Sequence, residues 1–153
     1  MGRKGRQGSL EGRGLTVGIV AARYNEEIVE ALVEGALRAL EEHGAKAEPV
    51  LSVPGSFEIP IAAQALADAG RVDAVICLGC VIKGETAHFE HIAEGAARGI
   101  QDVALETGVP CVFGVLTTYT EEQARARTDK GREAAETAIE MANLLKTVRG
   151  REA

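Results

Sequence analysis

The chain has 153 residues, 46% of them hydrophobic, which is enough for one domain with a substantial core. No apolar run reaches the length of a membrane span, and the N-terminus has no apolar signal segment. We therefore expect a cytoplasmic protein without a membrane partner. The formal net charge of −6 argues against nucleic acid as the main partner.

The N-terminal segment differs in composition from the rest of the chain. Residues 1–14 carry four basic side chains among five glycines, a composition that favours disorder over packing. We predict that residues 1–9 form a flexible basic tail and that residues 10–153 form a single domain.

The three cysteines, an odd number, fit a reducing compartment. Cys77 and Cys80 have the spacing of a redox CxxC motif, but both lie at the end of a predicted strand. Residues three apart in an extended chain are separated by about 10 Å, whereas a disulfide needs Cα atoms within about 7 Å. A redox site is therefore not expected.

Hydrophobic patterns predict strands and helices that alternate along the whole domain. The predicted strands comprise residues 15–21, 47–53, 73–81 and 109–116; the predicted helices comprise residues 27–43, 56–69, 88–106, a short segment ending near 127, and 132–149. Near-continuous apolar strands separated by helices are typical of a mostly parallel sheet with helices on both faces. The sequence thus predicts a doubly wound α/β protein, in which ligands bind beyond the carboxyl ends of the strands.

Local signals predict several helix ends and one close contact. Gly44 and Gly70 are expected to end helices, Ser56 and Thr86 to cap them, and residues 120–123 to form a capping box. Gly95 and Gly99 are expected to let their helix pack closely against the sheet.

The segment Gly79–His88 is the most informative part of the chain. It combines the end of a buried strand, a turn bracketed by glycines and the start of a helix. Backbone N–H groups and the helix dipole favour an anion at such a place. His88, in the first turn of the helix, is placed to transfer protons to a ligand there, although a lone histidine is more often an ordinary surface or core residue.

The aromatic residues also collect near the predicted strand ends. All five are at or close to these ends: Tyr24, Phe57, Phe89, Phe113 and Tyr119. This distribution favours a flat ligand that stacks on a ring, with plugging of the open sheet edge as the alternative.

Other kinds of site fit the sequence less well. His88 and His91 share a helix face, but their spacing matches no zinc-protease motif and no further ligand cluster accompanies them, so we expect no metal site. The segment after the first strand, residues 21–25, is neither a Ser/Thr/Gly-rich phosphate loop for a flavin nor the G-x-G-x-x-G of a dinucleotide fold.

Five motifs together resemble the lumazine synthase family. They are Arg23–Asn25, Val53–Pro60, Gly79–His88, Phe113–Thr117 and Glu140–Leu144. The similarity extends from about residue 10 to residue 148, and the motifs agree in residue identity, spacing and order. It implies a flavodoxin-like three-layer α/β sandwich with a four-stranded, mostly parallel sheet and helices on both faces.

The resemblance implies a transferase of riboflavin biosynthesis. The family condenses 5-amino-6-(ribitylamino)uracil with 3,4-dihydroxy-2-butanone 4-phosphate, giving 6,7-dimethyl-8-ribityllumazine and phosphate. No step of this reaction needs a metal or a redox cofactor. A histidine that titrates near neutrality would contribute roughly 10²–10⁴-fold, and the positioning of two substrates would contribute further.

The same resemblance assigns roles to individual residues. It implies that His88 transfers protons and that Tyr24 replaces the usual Phe that stacks on the pyrimidine. The pyrimidine and ribityl pocket would comprise Tyr24, Asn25, Ser56, Phe57, Glu58, Cys80, Val81, Ile82 and Phe113, and the phosphate site Glu85, Thr86, Arg127 and Lys130.

The chain departs from the common family pattern after Arg127. The loop before the last helix is short, residues 128–132, as in the archaeal branch, and it leaves Lys130 and Arg132 as alternative second phosphate cations. The family implies pentamers, sometimes assembled into icosahedral shells, with sites between subunits and riboflavin synthase as a possible partner. A non-catalytic lumazine-binding or shell-forming protein on the same fold is the alternative, against which His88 and Arg127 argue.

Overall fold

A computed structural model describes residues 5–84 and 88–150 of the chain. The strands are β1 (Thr16–Ala22), β2 (Lys46–Ala47), β3 (Leu51–Val53), β4 (Ala74–Ile82) and β5 (Cys111–Thr118). The α-helices are α1 (Glu26–Glu42), α2 (Ile59–Asp68), α3 (His88–Thr107), α4 (Glu121–Arg125) and α5 (Lys130–Val148), and a 3₁₀ turn, Ser56–Glu58, precedes α2.

The strands form one sheet in which every pairing is parallel. Strand β1 pairs with β4 on one side, β4 pairs with β5, and both β2 and β3 pair with the other edge of β1. Helices α1 and α5 cover one face, and α2 and α3 cover the other. The predicted α/β sandwich with helices on both faces is confirmed.

The predicted strand 47–53 is divided into two short strands, which makes five strands in place of the predicted four. Val17 pairs with Ala47, whereas Val20 pairs with Leu51, so the outer strand has one additional residue between the two pairings. Pro49 lies in this interruption. Because proline has no N–H to donate, it cannot continue a ladder at that point.

The sheet separates two hydrophobic clusters. One contains Ile19 of β1 and Ile76 of β4 with the inner faces of α1 and α5. The other contains Val20 and Val75, the neighbours along the same two strands, with α2 and α3. Central strands buried on both faces explain why their sequences are continuous apolar runs rather than alternating ones.

Helix ends follow the sequence signals in most places. Gly44 and Gly70 adopt positive φ after α1 and α2, and the Thr120 capping box is formed with Gln123. Ser56 was expected to cap a helix, but it is the buried first residue of the 3₁₀ turn and makes no capping bond, because Gly55 precedes that turn and α2 begins only at Ile59. The expected cap Thr86 lies outside the described residues.

The amino end of the sheet is closed by hydrogen bonds. The N–H of Thr16 donates to Oδ2 of Asp73 at 2.8 Å, and the N–H of Asp73 donates to the carbonyl oxygen of Thr16 at 2.7 Å. Nearby, the buried Asn143 of α5 donates through Nδ2 to the carbonyl oxygens of Ser9 and Glu11, both at 2.9 Å. Ser9, the last residue of the predicted tail, is therefore bound to α5, and the flexibility of the residues before it stays a prediction.

None of the helices in residues 5–84 and 88–150 combines the length and the apolar character needed to cross a bilayer.

Candidate functional site

A cleft of about 440 Å³ opens at the carboxyl end of the sheet. It lies where β1, β3 and β4 end and where α3 begins, as expected for ligand binding in a parallel sheet. The residues that line it are Tyr24, Asn25, Gly55, Ser56, Phe57, Glu58, Cys80, Val81, Ile82, Gly84, His88, Phe89 and Ile92. Residues predicted from three separate sequence motifs thus lie around one cavity.

The turn between β1 and α1 forms one wall of the cleft. Asn25 adopts the left-handed conformation with φ 60°, and its Nδ2 donates to the carbonyl oxygen of Cys80 at 2.8 Å. This bond ties the turn to β4 and takes the side chain away from capping α1. Tyr24, the preceding residue, is 73% exposed, so a face of its ring is accessible to a ligand.

The turn after β3 forms the opposite wall through close contacts with two glycines. Ser56 is buried against β4, where a Cβ on Gly79 would lie 2.5 Å from its Oγ. The ring of Phe57 lies over α3, where a Cβ on Gly95 would come within 2.7 Å of Cε1. Any side chain at either glycine would displace a residue of the cleft wall.

The prediction that Gly95 and Gly99 pack against the sheet was wrong about the partner. Their helix does approach a neighbour closely, but Gly95 faces Phe57, and a Cβ on Gly99 would lie 2.5 Å from Cγ of Pro60. Because neither glycine has a side chain, α3 is able to pack closely against the start of α2, its neighbour in the same layer.

The end of β4 contributes the floor of the cleft. Burial raises the pKa of the Cys80 thiol to about 11, with a smaller contribution from the nearby Glu121 carboxylate. The thiol therefore stays protonated at neutral pH and is a poor nucleophile, so Cys80 contributes shape and a backbone carbonyl group. The three cysteines are free, in agreement with the expectation that Cys77 and Cys80 form no disulfide.

His88 contributes an imidazole ring to this cleft. It is the first residue of α3, it is exposed, and it lines the same cavity as Tyr24 and Glu58. A histidine in this position is able to accept and donate protons to a ligand held between the two walls. Glu85 and Thr86, the predicted phosphate contacts, lie outside the described residues.

Three predicted site residues are not part of the cleft formed by the described residues of one chain. Phe113 lies on the edge strand β5, where it pairs with Cys77 and is 37% exposed. Arg127 follows α4, is exposed, and donates through Nη1 to the carbonyl oxygen of Gln123 at 3.4 Å. Lys130 is the first residue of α5.

The alternative cation, Arg132, has other partners. Its Nη1 lies 2.7 Å from Oε2 of Glu42, and its Nε lies 3.4 Å from Oε2 of Glu136. The hydrogen bond and charge of Glu42 raise the pKa of the Arg132 guanidinium, and the same pair lowers the pKa of Glu42. These contacts link α5 to α1 and make Arg132 the less suitable of the two candidates for a phosphate.

One lining residue, Ile92, lies outside every predicted motif, and two others, Gly55 and Gly84, lie within predicted motifs but were assigned no role of their own. Ile92 lies one helical turn after His88, and that spacing alone would have placed both on one face of α3. The two glycines line the cleft with backbone atoms, which sequence patterns do not distinguish from ordinary turns.

Across residues 5–84 and 88–150 no group of three or more His, Cys, Asp or Glu side chains is arranged to hold a metal ion. His88 and His91 therefore have no third ligand in that part of the chain.

Fold and site together define a class: an α/β sandwich with a binding cleft at the carboxyl ends of its parallel strands, lined by exposed rings and a histidine. The model of the family 6,7-dimethyl-8-ribityllumazine synthase matches residues 14–146. The chain belongs to this family, in agreement with the sequence motifs.

Individual relatives show the same similarity over nearly the whole chain. A 6,7-dimethyl-8-ribityllumazine synthase of Salinibacter ruber is 49% identical over 151 residues, covering 94% of this chain and 97% of its own. Proteins of the same name from Thermococcus kodakarensis and Thermococcus gammatolerans are 44% and 45% identical, and cover 95% and 92% of this chain and 96% and 94% of their own lengths.

Proposed function

We propose that this protein is a transferase that condenses 5-amino-6-(ribitylamino)uracil with 3,4-dihydroxy-2-butanone 4-phosphate. The products are 6,7-dimethyl-8-ribityllumazine, inorganic phosphate and two molecules of water, and the reaction is the penultimate step of riboflavin biosynthesis. The observation that carries the proposal is the convergence of Tyr24, Ser56–Glu58, Cys80–Ile82 and His88 on one cleft in a chain of this family.

The pyrimidine substrate would bind between the two walls of the cleft. Its flat ring stacks on Tyr24, whose exposed face is available for contact. The ribityl hydroxyls and the edge of the ring meet Glu58 and the backbone of residues 80–82, where hydrogen-bonding groups are concentrated. Asn25 supports this pocket indirectly, because its amide group is already bonded to the carbonyl oxygen of Cys80.

His88 would supply the proton transfers. The 5-amino group of the pyrimidine condenses with the carbonyl carbon of the butanone phosphate and releases one water. Phosphate then leaves together with a proton from the adjacent carbon, and the ribitylamino nitrogen closes the second ring with release of a second water. Each of these steps moves at least one proton. One histidine that cycles between its two protonation states serves all of them, and the cleft contributes by holding both reactants in register.

The phosphate group would be held by cations of a second copy of the chain. Arg127 and Lys130 are not among the residues that line the cleft of their own chain, and neither is Phe113. A neighbouring subunit that presents these three residues to the cleft would complete the site, with backbone groups near Glu85 and Thr86 as further donors. The guanidinium group of Arg127 is able to bind two phosphate oxygens at once.

A shared site requires an oligomer. We propose a ring of five subunits, which in some assemblies forms an icosahedral shell, and we propose a cytoplasmic location with riboflavin synthase as a candidate consumer of the product. Lys130 is the better candidate than Arg132 for the second cation, because Arg132 is engaged by Glu42 and Glu136.

The direct test is an assay of the purified protein with both substrates. We expect the absorbance and fluorescence of the lumazine product to increase together with the release of one phosphate per turnover, without added metal and after dialysis against a chelator. Binding of the pyrimidine or the product without turnover would instead identify a non-catalytic binding or shell-forming protein.

A further inference from the structure

Tyr119 contacts residues on both sides of the start of α3. Its ring centroid lies 6.3 Å from that of Phe89, with an angle of 37° between the planes. The ammonium nitrogen of Lys83 lies 5.4 Å from the same centroid. Lys83 precedes the cleft residue Gly84, and Phe89 follows the cleft residue His88, so one ring bridges the end of β4 and the beginning of α3.

The backbone that carries Tyr119 is itself fixed. The N–H of Lys83 donates to the carbonyl oxygen of Thr118 at 2.9 Å, which joins the ends of β4 and β5. The N–H of Tyr119 donates to Oε1 of Gln123 at 2.9 Å, and Gln123 also belongs to the capping box of α4. The ring therefore projects from a backbone that is anchored on both sides.

The side chains in the first two turns of α3 are not part of the hydrophobic core, although Phe57 packs against Gly95 at the end of these turns. The residues from His88 to Gly95 are exposed or half-buried, and the first buried side chain of the helix is that of Ala96. Tyr119 is itself 66% exposed, so its ring is not needed to fill the core. Its contacts with Phe89 and Lys83 thus act where the core does not hold the helix.

We propose that Tyr119 is a positioning residue that holds the beginning of α3, and with it the His88 side chain, in register with the end of β4. The proposal rests on the proposed function for its effect on catalysis, whereas its effect on the helix is independent of any activity. The contact with Phe89 depends on ring shape and the contact with Lys83 depends on the ring face, so the phenol hydroxyl is not required.

The kinetic test compares Tyr119→Ala with Tyr119→Phe. We expect Tyr119→Ala to lower kcat by about three- to thirtyfold, while the half-saturating concentration of the pyrimidine changes less than about twofold, because His88 is displaced but the stacking wall is intact. Tyr119→Phe should retain nearly full kcat. The matched control is Leu105→Ala, which removes an exposed side chain near the far end of α3 from His88.

A double variant separates positioning from general loss of stability. If Tyr119 acts through His88, Tyr119→Ala should cause no further loss of kcat in a His88→Ala background. Equal losses in both backgrounds, or a loss of kcat in Tyr119→Phe as large as in Tyr119→Ala, would overturn the proposal.

Amide hydrogen exchange tests the structural part without any assay of activity. In an α-helix that begins at His88, the N–H of Ile92 bonds to the carbonyl oxygen of His88. In Tyr119→Ala we expect the amides of Ile92 and Ala93 to exchange about three- to thirtyfold faster, with unchanged exchange beyond Ala96. Unchanged exchange at Ile92 would refute the contact, whether or not the wild-type protein forms lumazine.

Discussion

The two ends of the parallel sheet carry different kinds of contact. At the amino end, Thr16 and Asp73 exchange backbone and side-chain hydrogen bonds, and the ammonium group of Lys146 lies 3.6 Å from Oδ1 of Asp73. At the carboxyl end, the rings of Tyr24 and Tyr119 are largely exposed. Polar groups at the first end bind one another, whereas side chains at the second end surround a cleft.

This difference separates stability from chemistry. Contacts at the amino end are separated from a ligand in the cleft by the length of the strands. Their loss should therefore lower the free energy of unfolding and leave turnover unchanged. Residues at the carboxyl end expose side chains that a ligand can contact. Their substitution should therefore change kinetics more than stability. Each prediction below tests one side of this division.

The largest effect is expected from His88 at the carboxyl end. His88→Ala should lower kcat by about 10–10³-fold with little change in substrate binding, because positioning by the cleft survives when the proton carrier is lost. Steady-state kinetics with both substrates measure this. His91→Ala, three residues further along the same helix, is the control and should behave like the wild type; complete loss of binding in His88→Ala would indicate a structural histidine instead.

The next effect concerns the phosphate cations. Arg127→Ala should raise the half-saturating concentration of the butanone phosphate by about tenfold or more, equivalent to roughly 1.5–3 kcal/mol for a charge-assisted contact, and leave that of the pyrimidine almost unchanged. Lys130→Ala should act in the same direction more weakly.

Arg132→Ala provides the matched comparison for these cations. Because Arg132 is paired with Glu42 and Glu136, its removal should not affect the phosphate substrate. Equal weakening of both substrates in Arg127→Ala would mean that this residue supports a subunit interface rather than the phosphate group.

Tyr24 tests the exposed wall of the cleft. Tyr24→Ala should cost about 1–3 kcal/mol of affinity for the pyrimidine, the scale of a lost aromatic contact, whereas Tyr24→Phe should be nearly silent. Calorimetric titration of the pyrimidine alone measures the difference. A large loss in Tyr24→Phe would show that the hydroxyl group, and not ring stacking, provides the binding energy.

Asn143 tests the amino end, where the expected kinetic effect is the smallest. Asn143→Leu leaves the carbonyl oxygens of Ser9 and Glu11 without their donor and should lower the free energy of unfolding by about 1–2 kcal/mol. Urea denaturation measures this. Ser9→Ala, which removes only the hydroxyl oxygen that accepts from Nδ2 of Asn143 at 3.1 Å and keeps both carbonyl acceptors, should cost less. A fall in kcat comparable with that of His88→Ala would break the separation between the two ends.

The sequence predicted most of the fold because its strands and helices are strongly patterned. The division of one strand at Pro49 was missed, since the apolar pattern continues across a residue that cannot donate to the ladder. Ser56 looked like a helix cap, but its environment is set by Gly79 on a strand more than twenty residues away. Local patterns do not contain such distant contacts.

The candidate site was likewise predicted in part: its residues were identified, but some of the contacts between them were not. Motifs placed Tyr24, Glu58 and His88 near strand ends, and the parallel topology brings them to one cleft. The bond from Asn25 to the carbonyl oxygen of Cys80 joins residues 55 positions apart and has no sequence signature. In the proposed function, the contribution of Arg127 would require a second subunit, which the pattern of one chain does not describe.

The most direct test of the account is a subunit-mixing experiment with the His88→Ala and Arg127→Ala variants. If each site takes His88 from one subunit and Arg127 from its neighbour, a random mixture of equal amounts contains intact sites at about one quarter of positions. The two proteins, co-expressed or refolded together and assayed at low butanone phosphate, should therefore regain about a quarter of the wild-type rate. A rate no higher than the average of the two separate variants would contradict a site shared between subunits.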